Sequence, residues 1–334
     1  MAPPLVDAAV EVATEAPRLT AWSEKLTCYT AALGEWLARE RGAWWRPLVA
    51  GGPILSIRPH GGYLRFHHNP ASPAATLGLE LRTASSWPEA EAGIEAELER
   101  AGRVVVAADG WALPWHPAYG RRHLSHWLLA ERRSGVLELH DPLELLSEHG
   151  NQKATRVVVR GGAESVFRAE LDLTTPERLR EAAALGCDDP GDAASYRWLV
   201  ADADPGPPAA APDETPAAIA SLADYFERHA GRPHAYEHLL DVWQAARQRA
   251  LVVAALEAEA GRRPRRAKLP DVGRWRAVAA EWAELLPFVM YAGMLAAGGT
   301  TGASAKAIVE RLRKLATMEA ELSEQRFPQL DGEA

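Results

Sequence analysis

The sequence predicts an α+β protein with two domains that differ in kind. In residues 1–200, short β-branched runs such as Arg103–Asp109 alternate with stretches of helical periodicity, which is typical of a mixed domain. Residues 201–216 are rich in proline and alanine and predict an exposed linker. Residues 217–334 show about four helical patterns and little strand signal, so we expect an all-helical C-terminal module.

Composition places the chain among soluble globular proteins. It has 334 residues, of which 47% are hydrophobic and 25% charged. The net charge of −8 argues against a general nucleic-acid partner. The longest apolar run, Leu285–Ala297, is too short to span a bilayer, and Met1–Pro4 lacks the pattern of a signal peptide. Because two cysteines cannot form a disulfide framework, we expect a cytoplasmic protein with no membrane partner.

Each secondary-structure element follows from a local pattern. Alternating apolar residues predict strands, apolar residues at helix spacing predict helices, and Ser or Thr before such a run predicts a helix start. In the first domain these patterns predict an edge strand at Ala9–Thr14, a helix from Cys28 that stops at Gly42, a strand at Thr76–Leu81, a helix from Ser86 to Arg100, strands at Arg103–Asp109, Arg156–Arg160 and Ser165–Leu171, and a helix from Thr175. In the second they predict helices from Thr215 and at His234–Glu259, Asp271–Ala297 and Ser304–Gln325.

Cys28 is the first candidate for a reactive group. With Thr27 as the N-cap, it lies in the first turn of its helix, where unpaired N–H groups and the helix dipole favour a thiolate. The same N–H groups could hold a developing oxyanion. The alternative is a small side chain packed at a helix terminus. Cys187 is followed by two aspartates and is a poor nucleophile.

The stretch His123–Asp141 predicts a hairpin that brings a histidine to a carboxylate. A four-residue loop at Arg132–Gly135 would place His126 directly opposite Asp141 on one face of the hairpin. At that distance the carboxylate can fix the tautomer of the imidazole, as in a catalytic triad. The alternative is a surface histidine beside a carboxylate at the end of a strand.

Four segments together resemble a known family. They read Thr-Cys-Tyr-Thr-Ala-Ala-Leu from Thr27, Val-Val-Ala-Ala-Asp-Gly-Trp-Ala-Leu-Pro-Trp from Val105, Arg-His-Leu-Ser-His-Trp-Leu-Leu from Arg122, and Leu-His-Asp-Pro from Leu139. In order and spacing they resemble the butirosin biosynthesis protein H N-terminal domain, over roughly residues 20–150. The likeness implies a papain-like cysteine-peptidase fold, in which an N-terminal helix packs on an antiparallel sheet.

The resemblance also implies roles for three residues. Cys28 would be the nucleophile, His126 its base and Asp141 the residue that orients the base. Papain-like enzymes place a Gln shortly before the Cys as an oxyanion donor, but Arg18–Thr27 contains neither Gln nor Asn. Trp22, Ser23, Thr27 or backbone N–H groups would have to serve instead.

A loop beside the hairpin supplies further candidate binding residues. Asp109 could hold the ammonium group of an acceptor amine, although an aspartate before a glycine more often caps a turn. The aromatic residues Trp111, Trp115 and Tyr119 could form the wall of an acyl pocket or pack on the core. His123 could shape the mouth of that pocket.

The sequence predicts no cofactor and no metal. His116, His123, His126 and His140 are close in sequence, but side chains alternate along a strand, so they would not converge on one ion. Basic segments at Arg262–Lys268, or Arg121–Arg122 with Arg132–Arg133, could steer an acidic carrier protein. Solvated connectors are the alternative.

Together these features predict a cysteine-dependent acyltransferase of specialised-metabolite biosynthesis, such as antibiotic biosynthesis. It would move an acyl or aminoacyl group from a carrier-protein thioester to a small-molecule amine through acyl-Cys28. Two alternatives stay open: a cysteine peptidase or amidase, and a non-catalytic binding module of the same fold. The helical module could bind substrate, carrier or a second copy of the chain, which leaves a homodimer open.

Overall fold

The chain forms two compact units, and the first confirms an α+β protein with an antiparallel sheet. The first unit comprises residues 1–48 and 72–208, and the second comprises 49–71 and 209–333. Residues 49–71, expected in the N-terminal domain, therefore belong with the helices. The computed structural model describes residues 10–12, 18–50, 52–67, 73–147, 150–160, 164–185, 195–201, 215–230, 232–262, 270–299 and 303–322. Most of the predicted linker lies outside these ranges.

The described strands are β1 (Val10–Val12), β2 (Ser56–His60), β3 (Tyr63–His67), β4 (Glu80–Ala84), β5 (Arg103–Asp109), β6 (Ser125–Arg133), β7 (Val136–Asp141), β8 (Leu145–Ser147), β9 (Gly150–Gln152), β10 (Thr155–Val159) and β11 (Tyr196–Val200). The α-helices are α1 (Cys28–Leu37), α2 (Arg46–Val49), α3 (Pro73–Thr76), α4 (Trp87–Ala101), α5 (Glu164–Phe167), α6 (Thr175–Leu185), α7 (Thr215–His229), α8 (Leu239–Arg262), α9 (Val272–Ala297) and α10 (Ala303–Ala320). Within the described ranges, three short 3₁₀ helices lie at Thr20–Lys25, Gly110–Ala112 and Pro233–His238.

A seven-stranded antiparallel sheet forms the centre of the first unit. Its strand order is β1-β10-β7-β6-β5-β11-β4, so β6 and β5 are interior strands, and β1 is an edge strand as predicted. One face packs against α4, where Ile94 and Leu98 meet apolar side chains such as Val106, Leu128 and Leu139. These side chains are almost completely buried. The apolar face therefore fixes the strands on which the histidine and aspartate candidates lie.

The β6–β7 hairpin has a different register from the predicted one. Arg133 pairs with Val136, and the turn consists of Ser134 and Gly135 alone, both with positive φ (50° and 79°). Such a two-residue turn matches the right-handed twist of the strands better than a four-residue loop. The predicted loop at Arg132–Gly135 is wrong, and so is the directly opposed pairing of His126 with Asp141. A shift of two residues keeps every side chain on its face, so both residues still share one face as diagonal neighbours.

Helix α1 packs across the sheet through contacts near each of its ends. Thr27 caps its start, since the Thr27 hydroxyl accepts the Thr30 N–H and the Thr30 hydroxyl accepts the Thr27 N–H. Tyr29 meets Trp127 edge-on at 5.4 Å. Beyond the end of the helix, Arg39 bridges Glu35 (2.7 Å) and Glu131 (2.8 Å). The helix ends at Leu37, short of the predicted stop at Gly42.

Several short elements of the first unit differ from the predictions. The strand predicted at Thr76–Leu81 is wrong in position, because α3 ends at Thr76 and β4 begins at Glu80. The strand predicted at Ser165–Leu171 is wrong, since α5 covers Glu164–Phe167. Phe167 is buried in the cluster under α4, and this tertiary burial outweighs the apolar alternation. Strand β11, which pairs with both β4 and β5, was not predicted at all.

The second unit is mostly helical, with helices α7 to α10 and the β2–β3 hairpin. Its interior holds an ion pair between Arg249 on α8 and Glu319 on α10, at 2.9 Å. Among the described helices, α9 is the one long and apolar enough to cross a membrane by length and composition. One side of it, including Trp282 and Leu285, is fully buried in contact with its neighbours. This packing is compatible with a soluble protein.

Candidate active site

Cys28 is the first residue of α1 and its side chain is half-buried. The capping box occupies Thr27 and Thr30, and no described residue accepts the backbone N–H of Cys28. At the first position of a helix this N–H has no partner within the helix. The thiol therefore lies beside a free donor at the positive end of the helix dipole. Cys187 lies outside the described residues.

His126, near the start of β6, is the side chain that meets Cys28. It is only 1% exposed, and the Cys28 thiol is close enough to its ring to help raise the pKa of His126. Burial alone lowers the pKa of His126. The charge and hydrogen bond of Asp141, followed by the Cys28 contact, outweigh it and raise the pKa from 6.5 to about 10. His126 is thus expected to be an imidazolium at neutral pH, beside the Cys28 side chain.

Asp141, the last residue of β7, orients His126. Its Oδ2 atom accepts hydrogen bonds from His126 Nε2 (2.8 Å), Trp115 Nε1 (2.9 Å) and Gln152 Nε2 (2.7 Å). Its Oδ1 atom accepts the backbone N–H of Leu143 at 3.3 Å. Because Nε2 of His126 donates to the carboxylate, Nδ1 is the ring atom left for the Cys28 proton. The structure therefore pairs His126 with Asp141, and Cys28 is close enough to His126 to help raise its pKa. The catalytic roles of the three residues stay a prediction.

His116 packs against the ring of His126. Its ring meets the His126 ring edge-on, with 4.6 Å between centroids. Its Nδ1 atom accepts the backbone N–H of Ala118 at 3.0 Å, so a neutral ring carries its proton on Nε2. Burial, together with the charge of His126, lowers the pKa of His116 to about 2. His116 is therefore a neutral neighbour that excludes water from the His126 ring.

A second histidine–carboxylate pair lies at the adjoining strand ends. Asp109, the last residue of β5, is fully buried, and its Oδ2 atom lies 2.5 Å from His123 Nδ1. Its Oδ1 atom accepts the backbone N–H groups of Trp111 and Leu124, at 3.0 and 3.2 Å. Burial raises the pKa of Asp109, and these hydrogen bonds only partly oppose it. The predicted turn cap is therefore present, together with a histidine partner that was not predicted.

The three aromatic residues predicted to form the wall of an acyl pocket make different contacts. Trp111 stacks on the His123 ring at 5.1 Å with 17° between planes. Trp115 contacts the triad through Asp141 and packs on the core under α4. The half-buried Tyr119 donates its backbone N–H to the His116 carbonyl, and among the described residues no hydrogen bond joins its side chain to the triad. Their predicted role as walls of an acyl pocket stays a prediction.

Two of the side chains expected as oxyanion donors, Ser23 and Thr27, make hydrogen bonds elsewhere. The Ser23 hydroxyl donates to the Thr20 carbonyl at 2.7 Å, and the Thr27 hydroxyl belongs to the helix cap. Trp22 stacks on Trp45 at 5.2 Å. The backbone N–H of Cys28 is therefore a candidate donor for a developing oxyanion.

A group of possible metal ligands lies on the α1 side of the hairpin. Ligand atoms of Glu131, Glu138 and His140 lie within 4.8 Å of one another. Arg39 pairs with Glu131 at 2.8 Å and Arg156 pairs with Glu138 at 2.6 Å. Although burial raises the pKa of Glu131, the close contact of His140 at 3.2 Å and the hydrogen bonds from Arg39 hold that pKa well below its ordinary value. Both carboxylates are already neutralised, so the group fits an ion-pair network better than a cation site.

The arginines predicted to steer a carrier protein are largely ion-paired. Arg122 pairs with Glu177 at 2.8 Å, Arg132 with Glu95 at 2.6 Å and Arg133 with Glu131 at 3.2 Å. The segment Arg262–Lys268 lies outside the described residues apart from Arg262. The described arginines therefore add little net positive charge to this surface.

Two contacts of the triad were missed from the sequence. Gln152 comes from β9, whose three-residue pairing with β8 has no clear sequence pattern. His116 lies in an irregular loop, and only its closeness to other histidines could have drawn attention to it. The polar residues after Asp141 in the chain would have been the place to search for a donor to its carboxylate.

No protein-family model matches the chain, and no curated protein matches it at a significant level.

Proposed function

We propose that this protein is a cysteine-dependent acyltransferase that moves an acyl or aminoacyl group from a thioester to an amine through acyl-Cys28. One observation carries the proposal: Asp141 holds the buried His126 by Nε2, and the Cys28 thiol is close enough to the His126 ring to help raise the pKa of His126. Nucleophile, base and orienting carboxylate are the three parts that covalent acyl transfer requires.

In the first step, the Cys28 thiolate attacks the carbonyl carbon of the donor thioester. The N–H of Cys28 stabilises the oxyanion of the tetrahedral intermediate. As the C–S bond to the donor breaks, the leaving thiolate takes the proton from the His126 imidazolium. The acyl group is then bound to Cys28, and His126 is neutral.

In the second step, an amine attacks the acyl-Cys28 carbonyl. Neutral His126 takes a proton from the attacking nitrogen, and the C–S bond to Cys28 breaks as the amide forms. The leaving group is the Cys28 thiolate, which forms its ion pair with the His126 imidazolium again. Asp141 keeps its position throughout, because Trp115 and Gln152 also donate to its carboxylate.

Thioester donors suit this site better than peptide donors. Exchange of an acyl group between two sulfur atoms is nearly isoenergetic, whereas cleavage of a peptide bond requires a poor amine leaving group to be protonated. A site with one clear oxyanion donor can carry out the easier exchange. We therefore propose a carrier-protein thioester as donor and a small-molecule amine as acceptor, in specialised-metabolite biosynthesis in the cytoplasm.

The proposal is tested by following the mass of the intact protein. Wild type would be mixed with acetyl and glycyl thioesters of N-acetylcysteamine, which mimic the arm of a carrier protein. Because the chain has two cysteines, Cys28→Ala and Cys187→Ala form a matched pair of variants. We expect the acyl adduct in wild type and in Cys187→Ala, and none in Cys28→Ala.

The fate of the acyl group separates the enzyme classes. Addition of a primary amine should convert the adduct to an amide and restore the original protein mass. Release of free acid alone, at the same rate with and without amine, would instead support a hydrolase. Wild type that forms no adduct with any thioester, or an adduct that persists in Cys28→Ala, would contradict the proposal.

A further inference from the structure

Two adjacent residues of the loop after β5 contact the two members of the histidine–aspartate pair. Trp115 donates its indole N–H to Asp141 at 2.9 Å. The next residue, His116, meets the ring of His126 edge-on, with 4.6 Å between centroids. His116 is 5% exposed and His126 is 1% exposed. The contact between the two imidazoles is therefore almost completely shielded from solvent.

The loop and His126 lie on the same face of the sheet. Side chains alternate along a strand, so His126 points to the same face as Leu128, which belongs to the apolar cluster under α4. Leu113 is part of that cluster, and Trp115 packs against it. The strand alternation and the loop contacts thus agree that His116 approaches His126 from the side of α4.

The backbone around His116 holds its ring in place. Ala118 donates its N–H to Nδ1 of His116 at 3.0 Å. The His116 N–H donates to the Leu113 carbonyl at 3.0 Å, and its own carbonyl accepts the Tyr119 N–H at 2.9 Å. Gly110 lies against the ring, since a methyl group on Gly110 would be only 3.2 Å from Nδ1. The ring therefore has little room to move.

His116 cannot replace His126 as the base. Its Nδ1 lone pair accepts the Ala118 N–H, so Nε2 carries the proton of the neutral ring and no lone pair is left for the Cys28 proton. Burial, followed by the charge of His126, lowers the pKa of His116 to about 2. The described titratable groups that face His126 are thus Asp141, Cys28 and this neutral neighbour.

One hydrogen bond does not fix the plane of the His126 ring. Asp141 binds Nε2 at 2.8 Å, and the covalent bond to Cβ holds the opposite end of the ring. The ring can still turn about the line through these two points, and that rotation moves Nδ1. A second ring in contact with His126 blocks this rotation, because closely packed groups in a protein interior leave no space for it.

We propose that His116 is a positioning residue that fixes the plane of the His126 ring, so that Nδ1 stays available to the Cys28 thiol. This inference rests on the proposed function, because the direction of Nδ1 matters when His126 exchanges a proton with Cys28. The ring of His116 acts through contact with His126, whereas its hydrogen bond with Ala118 only holds the loop.

Two variants separate the ring of His116 from its hydrogen bond. His116→Phe keeps a flat ring against His126 but loses the acceptor for the Ala118 N–H. His116→Asn has no ring, but its side-chain carbonyl can still accept that N–H. The control is His60→Gln, which changes an exposed histidine of the second unit.

The reactivity of Cys28 reports the orientation of His126 without any acyl donor. Iodoacetamide would alkylate each protein from about pH 5 to about pH 9, and peptide mass analysis would give the rate at Cys28. In wild type we expect Cys28 to stay reactive at pH values where an ordinary thiol, with a pKa of about 8.5, is mostly protonated. His116→Phe and His60→Gln should match this profile within about twofold.

In His116→Asn the alkylation rate of Cys28 in slightly acidic buffer should fall about tenfold, and the pH profile should move toward that of an ordinary thiol. The reverse order, with loss in His116→Phe and a wild-type profile in His116→Asn, would show that the loop hydrogen bond matters and would overturn the proposal. Equal loss in both variants, or no loss in either, would overturn it as well.

Urea unfolding would check that each variant is folded. If His116→Phe does not fold, His116→Leu takes its place, because leucine fills much of the same space and also lacks an acceptor. The same wild-type profile is then expected, and a loss as large as that of His116→Asn would overturn the proposal.

Failure of the proposed function would look different. Wild type would then form no acyl-Cys28 with the thioesters, while the alkylation profiles would still rank the two His116 variants. Conversely, a wild-type Cys28 that is alkylated like an ordinary thiol would overturn the role of His116, because His126 would then have no effect on the thiol for His116 to maintain.

Discussion

Two buried carboxylates, one in each unit, are bound in nearly the same way. Asp141 accepts hydrogen bonds from the indole of Trp115, from His126 and from Gln152. Glu319 accepts an indole N–H from Trp282 at 2.6 Å and two N–H groups of Arg249 at 3.0 and 2.9 Å. Both carboxylates are almost completely buried.

The partners of these carboxylates decide what each network can do. The guanidinium of Arg249 cannot release its proton, and its remaining Nη1 donates to Gln248 at 2.9 Å, so that network is closed and structural. The imidazole of His126 can release a proton, and its second nitrogen is left for the Cys28 thiol. The comparison teaches that buried charge alone does not indicate a reactive site. A reactive site is indicated when the buried cation can release a proton and a nucleophile lies beside it, as Cys28 lies beside His126.

The largest expected effect is on activity. His126→Gln removes the group that exchanges a proton with Cys28, so the rate of acyl-Cys28 formation should fall about 1,000-fold or more. This rate is measured by stopping reactions with the N-acetylcysteamine thioesters at set times and determining the mass of the intact protein. A variant that keeps even a tenth of the wild-type rate would place the base elsewhere.

The next largest effect is expected on the free energy of unfolding, and it concerns the buried Arg249–Glu319 pair. Arg249→Met leaves Glu319 as an unpaired buried charge, which typically costs about 3–5 kcal/mol of unfolding free energy. The double variant Arg249→Met/Glu319→Leu should recover much of that loss, because neither charge then remains. Urea unfolding followed by circular dichroism measures both. A single variant as stable as wild type would show that this pair does not stabilise the helical unit.

The raised pKa of His126 predicts a pH dependence of stability. A group whose pKa is higher in the folded state stabilises that state, fully at pH values below its unfolded pKa and less as pH rises toward its folded pKa. For His126 these two pKa values are 6.5 and about 10, so its stabilising effect should be lost between them. The difference in urea midpoint between wild type and His126→Gln should therefore shrink steadily over this interval. A difference that grows with pH would mean that His126 is neutral in the folded protein.

The smallest effect should come from one donor to Asp141. Gln152→Leu removes a hydrogen bond to a charged acceptor, so we expect about a tenfold loss in the rate of acyl-Cys28 formation. Because Asp141 then holds His126 less firmly, the pH profile of the reaction should also shift. The variant His60→Gln again serves as the control. A rate change without any shift in the pH profile would indicate a structural effect only.

Local patterns in the sequence predicted the parts of the site that depend on local physics. Thr27 as N-cap, Cys28 in the first turn, and the shared face of His126 and Asp141 follow from capping and strand alternation. The face was predicted correctly although the register was wrong, because a shift of two residues preserves it.

The remaining features depend on contacts distant in sequence. Gln152 reaches Asp141 from a short strand, and β11 pairs with β5 although the two strands lie far apart along the chain. Residues 49–71 join the helical unit, where the backbone N–H of Leu55 donates to Thr215 at 3.0 Å. Local propensity carries no information on such pairings, which are decided by packing.

The most direct test of the account is the rate at which iodoacetamide alkylates Cys28, relative to Cys187 in the same chain, in slightly acidic buffer. If His126 keeps the sulfur of Cys28 reactive, peptide mass analysis should show Cys28 modified at least about tenfold faster than Cys187. In His126→Gln this preference should disappear. Equal rates for the two cysteines in wild type, or a preference that His126→Gln leaves intact, would contradict the account.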